Sequence, residues 1–181
     1  KKEILNDYYL INESRNLSLI GRKEVFMGRA KFGVFGDGKE LPQIAMSKFF
    51  KNGDFRSGYY RDQTFMMAID QLNANQFFAQ LYAHTDINFD PHSGGRQMNN
   101  HFGTRMLNSS GKWKTLTDMK NSASDVSCVS GQMPRIVGLG YASKLYRENK
   151  DLGQMHNFSI NGNEVIFGTI GDASTSEGHF W

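Results

Sequence analysis

Val165 to Ile170 is a β-branched and apolar run of strand length with no charge in it. Such a run reads as a strand covered on both faces, as in a parallel sheet. Gly171 ends it. A small, polar turn then leads to Ser176 and Glu177, where a helix start is expected. Earlier in the chain, Asn6 to Leu19 mixes apolar and polar residues at near-helical spacing and predicts an N-terminal helix packed on the body. Lys31 to Phe35 is a short strand candidate. A helix is expected from Leu41 to Phe50, with Pro42 in its first turn, where the missing N–H costs little. Gly53 stops it.

Phe55 to Tyr59 reads as a strand, and Asp62 as the cap of a helix running to about Leu72. Asn75 to Ala83 is amphipathic, with Phe77, Phe78, Leu81 and Tyr82 on its apolar side. From His84 to Asp125 periodicity is lost, and Asp, Asn, Gly, Ser and Thr dominate. A stretch of that length is uncommon in a compact domain unless it is functional. Its composition predicts a segment, Asp86 to Asp125, that is mobile until a ligand orders it. A further helix is expected within Val126 to Lys150, with Pro134 in its first turn and Gln132 just before it. Gly138, Gly140 and Ala142 are small enough to let that helix lie close to a neighbour. The alternation of strands and helices points to an α/β fold with a mainly parallel sheet.

The formal charge of +3 is mild and contains no basic block, which argues against nucleic acid as the main ligand and suits an anionic one. Cys128 has no second cysteine to pair with and is expected to be a small buried residue. No apolar run has membrane length. The expected location is the cytoplasm, or a matrix with a leader removed. The start at Lys1 and the end at Trp181, where a covering helix should begin, predict a piece of a larger protein.

Three groups carry candidate chemistry. At Gly171-Asp172-Ala173, turn N–H groups favour an anion and Asp172 offers a hard oxygen to Mg²⁺. At Tyr60-Arg61, a guanidinium can bind a diphosphate bidentately and the phenol can add a hydrogen bond. The bland alternative is a surface arginine paired with Asp62 or Asp54. His92 and His101 lack a metal-ligand spacing; His101 is kept as a possible contact to a cofactor or acyl group.

Gly171 to Gly178 resembles the thiamine-diphosphate motif of the 2-oxoacid dehydrogenases, in the α-type half of their decarboxylating first component. Gly28 to Phe50, with its Gly36-x-Gly38-x-Glu40 turn, resembles the family's opening segment. Tyr60-Arg61-Asp62 resembles its Tyr-Arg-Asp signature, and Ser127-x₄-Gln132-x-Pro134-x₃-Gly138-x₃-Ala142 resembles a third family segment. Ser93 to Met98 brings the resemblance closest to the branched-chain, 2-oxoisovalerate members. Two positions depart from the pattern. Ala173 stands where the motif has Gly, and Gly131 where many relatives carry a Thr that some use at a monovalent-ion site. The Asn that closes the motif in the family is expected some thirty residues on from Gly171 and is not within this sequence, which stops at Trp181.

The resemblance implies a three-layer fold, with residues 1–27 as a helical extension and 28–181 as the first part of the cofactor domain. It implies thiamine diphosphate and Mg²⁺ as cofactors. Asp172 would hold the metal, Gly171 and Ala173 would form the turn, and Tyr60 and Arg61 would hold the diphosphate. Backbone groups at Ser127 and Val129 would face the aminopyrimidine. The implied reaction is oxidative decarboxylation of a 2-oxo acid with acyl transfer to lipoamide. The implied partners are a β-type half and a dihydrolipoyl acyltransferase core with its lipoyl domain, in a homo- or hetero-oligomer. This piece alone is expected to be inactive. The rival readings are a transketolase-like enzyme and a non-catalytic phosphate-binding α/β domain.

Overall fold

Helix α1 spans Lys2–Phe26 of the computed structural model, which describes residues 1–181. It is longer at both ends than the Asn6–Leu19 expected from sequence. Its buried positions are Ser14, Leu17, Ser18, Gly21 and Glu24. That spacing is helical, but the face is built mainly of small and polar residues, so the pattern of large apolar side chains underreports it. The chain divides into two compact units: Lys1–Phe49 with Tyr60–Phe102, and Phe50–Tyr59 with Gly103–Trp181.

The first unit is helical. Besides α1 it holds α2 (Glu40–Ser47), α3 (Gln63–Ala68) and α4 (Ala74–Leu81). Its core includes Phe65, Met66, Ile69, Phe77 and Phe102. Helices α1 and α3 meet along a polar seam. Ser14 Oγ lies 2.7 Å from Thr64 Oγ1, and Gln63 Nε2 donates to the Ser14 carbonyl at 2.9 Å. Helix α3 stops short of the expected Leu72. Asp70 takes a left-handed φ of 62°, and the Gln71 N–H closes back on the Met66 carbonyl at 2.8 Å. Asp62 occupies the N-cap position of α3 without a side-chain cap bond. Asn73 and Gln76 form a reciprocal capping box on α4.

Lys31 to Phe35 is irregular, not a strand. Side-chain amides take the place of a neighbouring strand there. Asn99 Oδ1 accepts from the Val34 N–H at 2.9 Å, and Asn99 and Asn100 both donate to the Val34 carbonyl. The glycine-rich stretch before them is better anchored than its composition suggests, since Asn99 to Phe102 are buried. Asp90, fully buried, accepts from the N–H groups of His92, Ser93 and Gly95 and from Ser93 Oγ at 2.6 Å.

Burial pushes the Asp90 carboxyl up, but those donors, led by the Gly95 N–H, outweigh it and hold it below its usual range. A group depressed in this way stabilises the fold above its unfolded value, near 3.9, and loses that contribution as pH falls through the folded value. Asp90→Asn is therefore expected to destabilise the protein by about 1.5–3 kcal/mol at pH 7. The gap to wild type should narrow below about pH 4. Thermal unfolding of both proteins from pH 7 to pH 3 checks this; a gap that widens toward acid refutes it.

The second unit carries a three-stranded parallel sheet: β1 (Phe55–Ser57), β2 (Asn121–Ser122) and β3 (Ile166–Gly168), in the order β2-β1-β3. Phe55 pairs with Asn121 on one side and with Ile166 on the other. Helix α5 (Gln132–Glu148) packs on β1 and β3. The α/β class and parallel pairing match the expectation. Burial of β3 on both faces does not: β3 is an edge strand, half-buried at best, and Val165 is 54% exposed.

The small residues of α5 also behave differently from expectation. A Cβ on Gly138 or Gly140 would meet nothing within 4 Å. The close approach is made by Gly168 of β3, where a Cβ would overlap Ile136 Cδ1. Ala142 does face inward, with Phe55, Leu139 and Ile166, around a small cleft of about 120 Å³.

Candidate functional site

In the second unit, Gly171 to Ser174 follows the C-terminal end of β3, the end at which open parallel sheets bind ligands. Asp172–Ser176 forms a 3₁₀ turn, with Ser174 N–H bonded to the Gly171 carbonyl at 3.1 Å. The α-helix start expected at Ser176 and Glu177 is absent; the Glu177 N–H instead closes an i→i−3 bond to Ser174 at 3.2 Å. No side chain caps the turn's first N–H groups. Ala173 keeps a negative φ, so its Cβ brings no strain to the turn.

Asp172 is exposed, and only its backbone carbonyl is engaged, by Thr175 Oγ1 at 2.7 Å. Its carboxylate thus stands free, a hard oxygen donor of the type Mg²⁺ takes with one or two carboxylates and phosphate oxygens. The ring of Tyr59 lies beside Gly171 and leaves ordinary contact room there. No cluster of three or more His, Cys, Asp or Glu exists to cage a metal without such phosphates.

The loop before α5 grips this turn. Ser130 Oγ donates to the Ser174 carbonyl at 2.6 Å, and Gln132 Nε2 donates to the Thr169 carbonyl at 3.0 Å. Ser127 and Val129 of the same loop are exposed. Cys128 is also exposed, not buried as expected, because its loop projects into solvent before α5 begins.

In the first unit, Arg61 is exposed, with its guanidinium 5.7 Å from the ring of its neighbour Tyr60. In the second unit, Asp54 accepts from the N–H groups of Lys51 and Val165. The Arg61 backbone is fixed. Gln43 Nε2 donates to its carbonyl at 2.7 Å, and Gly36 packs so close that a Cβ would come within 2.6 Å of that oxygen. Glu40 receives Gly38 N–H and a two-point contact from Arg15, which makes Gly36 to Glu40 a structural turn. His101 is buried, stacked along Tyr60 at 6.4 Å.

Residues 14–181 match the family model described as "Dehydrogenase E1 component". The chain belongs to that family. It is also 28% identical over 154 residues to the 2-oxoisovalerate dehydrogenase subunit alpha of Bacillus subtilis (strain 168). That match covers 84% of this chain and 37% of the relative, so the chain spans well under half the length of the curated relative it matches.

For this E1-component chain, sequence reasoning missed two groups. One is Ser130, whose only signal was its place between Ser127 and Gln132. The other is the buried pair of Arg56 and Asp125. Arg56 Nη1 lies 2.9 Å and Nη2 3.0 Å from the two carboxylate oxygens, and both side chains are 1% exposed. An arginine in a three-residue strand gave no hint of a partner 69 positions away.

Proposed function

We propose that this chain is the diphosphate-binding part of the α-type half of a cytoplasmic 2-oxo acid dehydrogenase, acting on a branched-chain 2-oxo acid. The observation that carries this reading is the free carboxylate of Asp172 on a turn directly after a parallel strand. Thiamine diphosphate, when bound, supplies the carbanion chemistry that releases carbon dioxide from a 2-oxo acid.

The chain's own residues bind and orient. Asp172 would take one position on Mg²⁺, which offsets diphosphate charge. The uncapped N–H groups after Gly171 and the backbone at Ala173 would favour phosphate oxygens. Arg61 would bind diphosphate oxygens bidentately and Tyr60 would add a hydrogen bond. His101 would act on Tyr60 by holding its ring, and backbone groups at Ser127 and Val129 would orient the aminopyrimidine. A β-type half and a dihydrolipoyl acyltransferase with its lipoyl domain would complete the complex.

The name of the Bacillus relative favours a 2-oxoisovalerate-type substrate. The test is a calorimetric titration of thiamine diphosphate into the assembled enzyme, with and without Mg²⁺, followed by decarboxylation of a panel of 2-oxo acids. Mg²⁺-dependent binding and preference for branched substrates are expected. Ketol transfer between sugars would favour the transketolase-like reading, and absence of cofactor binding the non-catalytic one.

A further inference from the structure

Ser130 combines three properties that ordinary loop residues do not share. It is 1% exposed, its φ is +66°, and its hydroxyl makes a 2.6 Å bond to the Ser174 carbonyl. Five residues other than glycine have positive φ; three of them, Asp70, Asn100 and Asn161, are of the types that tolerate it. Ala83 closes helix α4, where the His84 N–H bonds back to the Ala79 carbonyl. Ser130 has no such helix-ending duty. Its carbonyl accepts from Met133 N–H at 2.9 Å at the start of α5. Strain of this kind persists where the surroundings enforce it, and it gathers at functional sites.

We propose that Ser130 is a positioning residue for the Gly171–Ser174 turn, and that its left-handed backbone is held because it aims the hydroxyl at Ser174. This rests on the reading of Asp172 as the Mg²⁺ ligand. The bond fixes the carbonyl two residues beyond Asp172. Gln132 fixes the Thr169 carbonyl three residues before it, and the Ser57 hydroxyl donates to the Gln132 carbonyl at 3.2 Å. The turn is thereby tied on both flanks to one loop, and through Ser57 to the central strand β1. Ser130 touches no ligand in this arrangement; it acts through the shape of the turn that presents Asp172.

The sign of the effect separates this role from a structural one. Ser130→Gly removes the hydroxyl and also removes the backbone strain, because glycine adopts positive φ freely. A residue needed only for stability would give a less stable protein when its bond is lost. A strained positioning residue gives a protein at least as stable whose turn is loose. Ser130→Ala loses the hydroxyl and keeps the strain, so it should be less stable than Ser130→Gly with an equally loose turn.

Three readouts on the assembled enzyme test the proposal: thermal unfolding midpoint, hydrogen exchange of peptides covering residues 170–177, and the Mg²⁺ concentration needed for half-maximal thiamine diphosphate binding. For Ser130→Gly, the expected results are an unchanged or raised midpoint and exchange at 170–177 faster by at least about tenfold. The required Mg²⁺ should rise by about 10–100-fold, the usual effect of removing a group that orients a metal ligand. Wild-type exchange rates at 170–177 in Ser130→Gly would overturn the proposal. So would a loosened turn with unchanged Mg²⁺ dependence. If the wild type binds no cofactor, the reading of Asp172 falls, and the exchange result alone then decides whether Ser130 holds the turn.

Discussion

Asp172→Ala is expected to weaken Mg²⁺-dependent binding of thiamine diphosphate to the assembled enzyme by at least about 100-fold. That is the upper end of what losing a mere outer-shell partner costs, and Asp172 is proposed as a direct ligand. The same substitution should leave stability within about 0.5 kcal/mol of wild type, because Asp172 is exposed and its carboxylate supports no other group. Function and fold are therefore separable at this position. Asp172→Asn keeps an oxygen donor but loses the charge, so its affinity should fall between those of wild type and Asp172→Ala. Raised Mg²⁺ should recover part of the loss in Asp172→Asn. Calorimetry at several Mg²⁺ concentrations reads both effects. Unchanged affinity in Asp172→Ala would remove Asp172 from the metal, and lost stability would show that the turn depends on it structurally.

The parts of the fold that sequence predicts well are those set by local chemistry. The apolar stripe of Phe77, Phe78 and Leu81, expected in a helix from Asn75 to Ala83, lies on α4 at Ala74–Leu81. Pro134 lies in the first turn of α5, where a missing N–H costs little. The apolar run at Val165 gives β3, although only three of its residues pair. The misreadings come from long-range partners. Val34 is kept out of a sheet by amides 65 and 66 positions away. Gly138 and Gly140 look like packing residues, but which side of α5 meets the sheet is decided by Ile136 and Gly168. Asp172 and the Tyr60-Arg61 pair can be nominated from sequence because their chemistry is in their own side chains. Ser130 cannot, since its distinguishing property is a backbone angle that no spacing reveals.

Asp125→Ala is expected to destabilise the protein by about 3–5 kcal/mol, because it removes a buried, two-point carboxylate partner of the Arg56 guanidinium. In a chain of this size that corresponds to a midpoint lower by roughly 6–20 °C. The pair is unusually placed. β1 is the central strand of a parallel sheet, where an apolar residue is the ordinary choice. Arg56 is instead held by both Asp125 oxygens, by Ser122 Oγ at 2.8 Å and by the Tyr59 carbonyl at 3.0 Å. Every one of those partners belongs to the sheet or to the chain just beyond it, so the guanidinium ties β1 to β2 and to the start of the Ser127 loop. Truncating one partner of a buried pair loses the attraction while the other group stays desolvated, whereas replacing both with apolar side chains of similar volume removes the desolvation cost of the two groups themselves. Arg56→Met with Asp125→Leu should therefore return stability to near the wild-type level or above it. The two single variants should each be worse than the pair, giving a coupling energy well above the 0.3–0.5 kcal/mol scatter of about-additive sites. Equilibrium unfolding of wild type, both singles and the double variant measures that coupling. A double variant no more stable than either single would show that the hydrogen-bond geometry around Arg56, not charge compensation with Asp125, is what the strand requires.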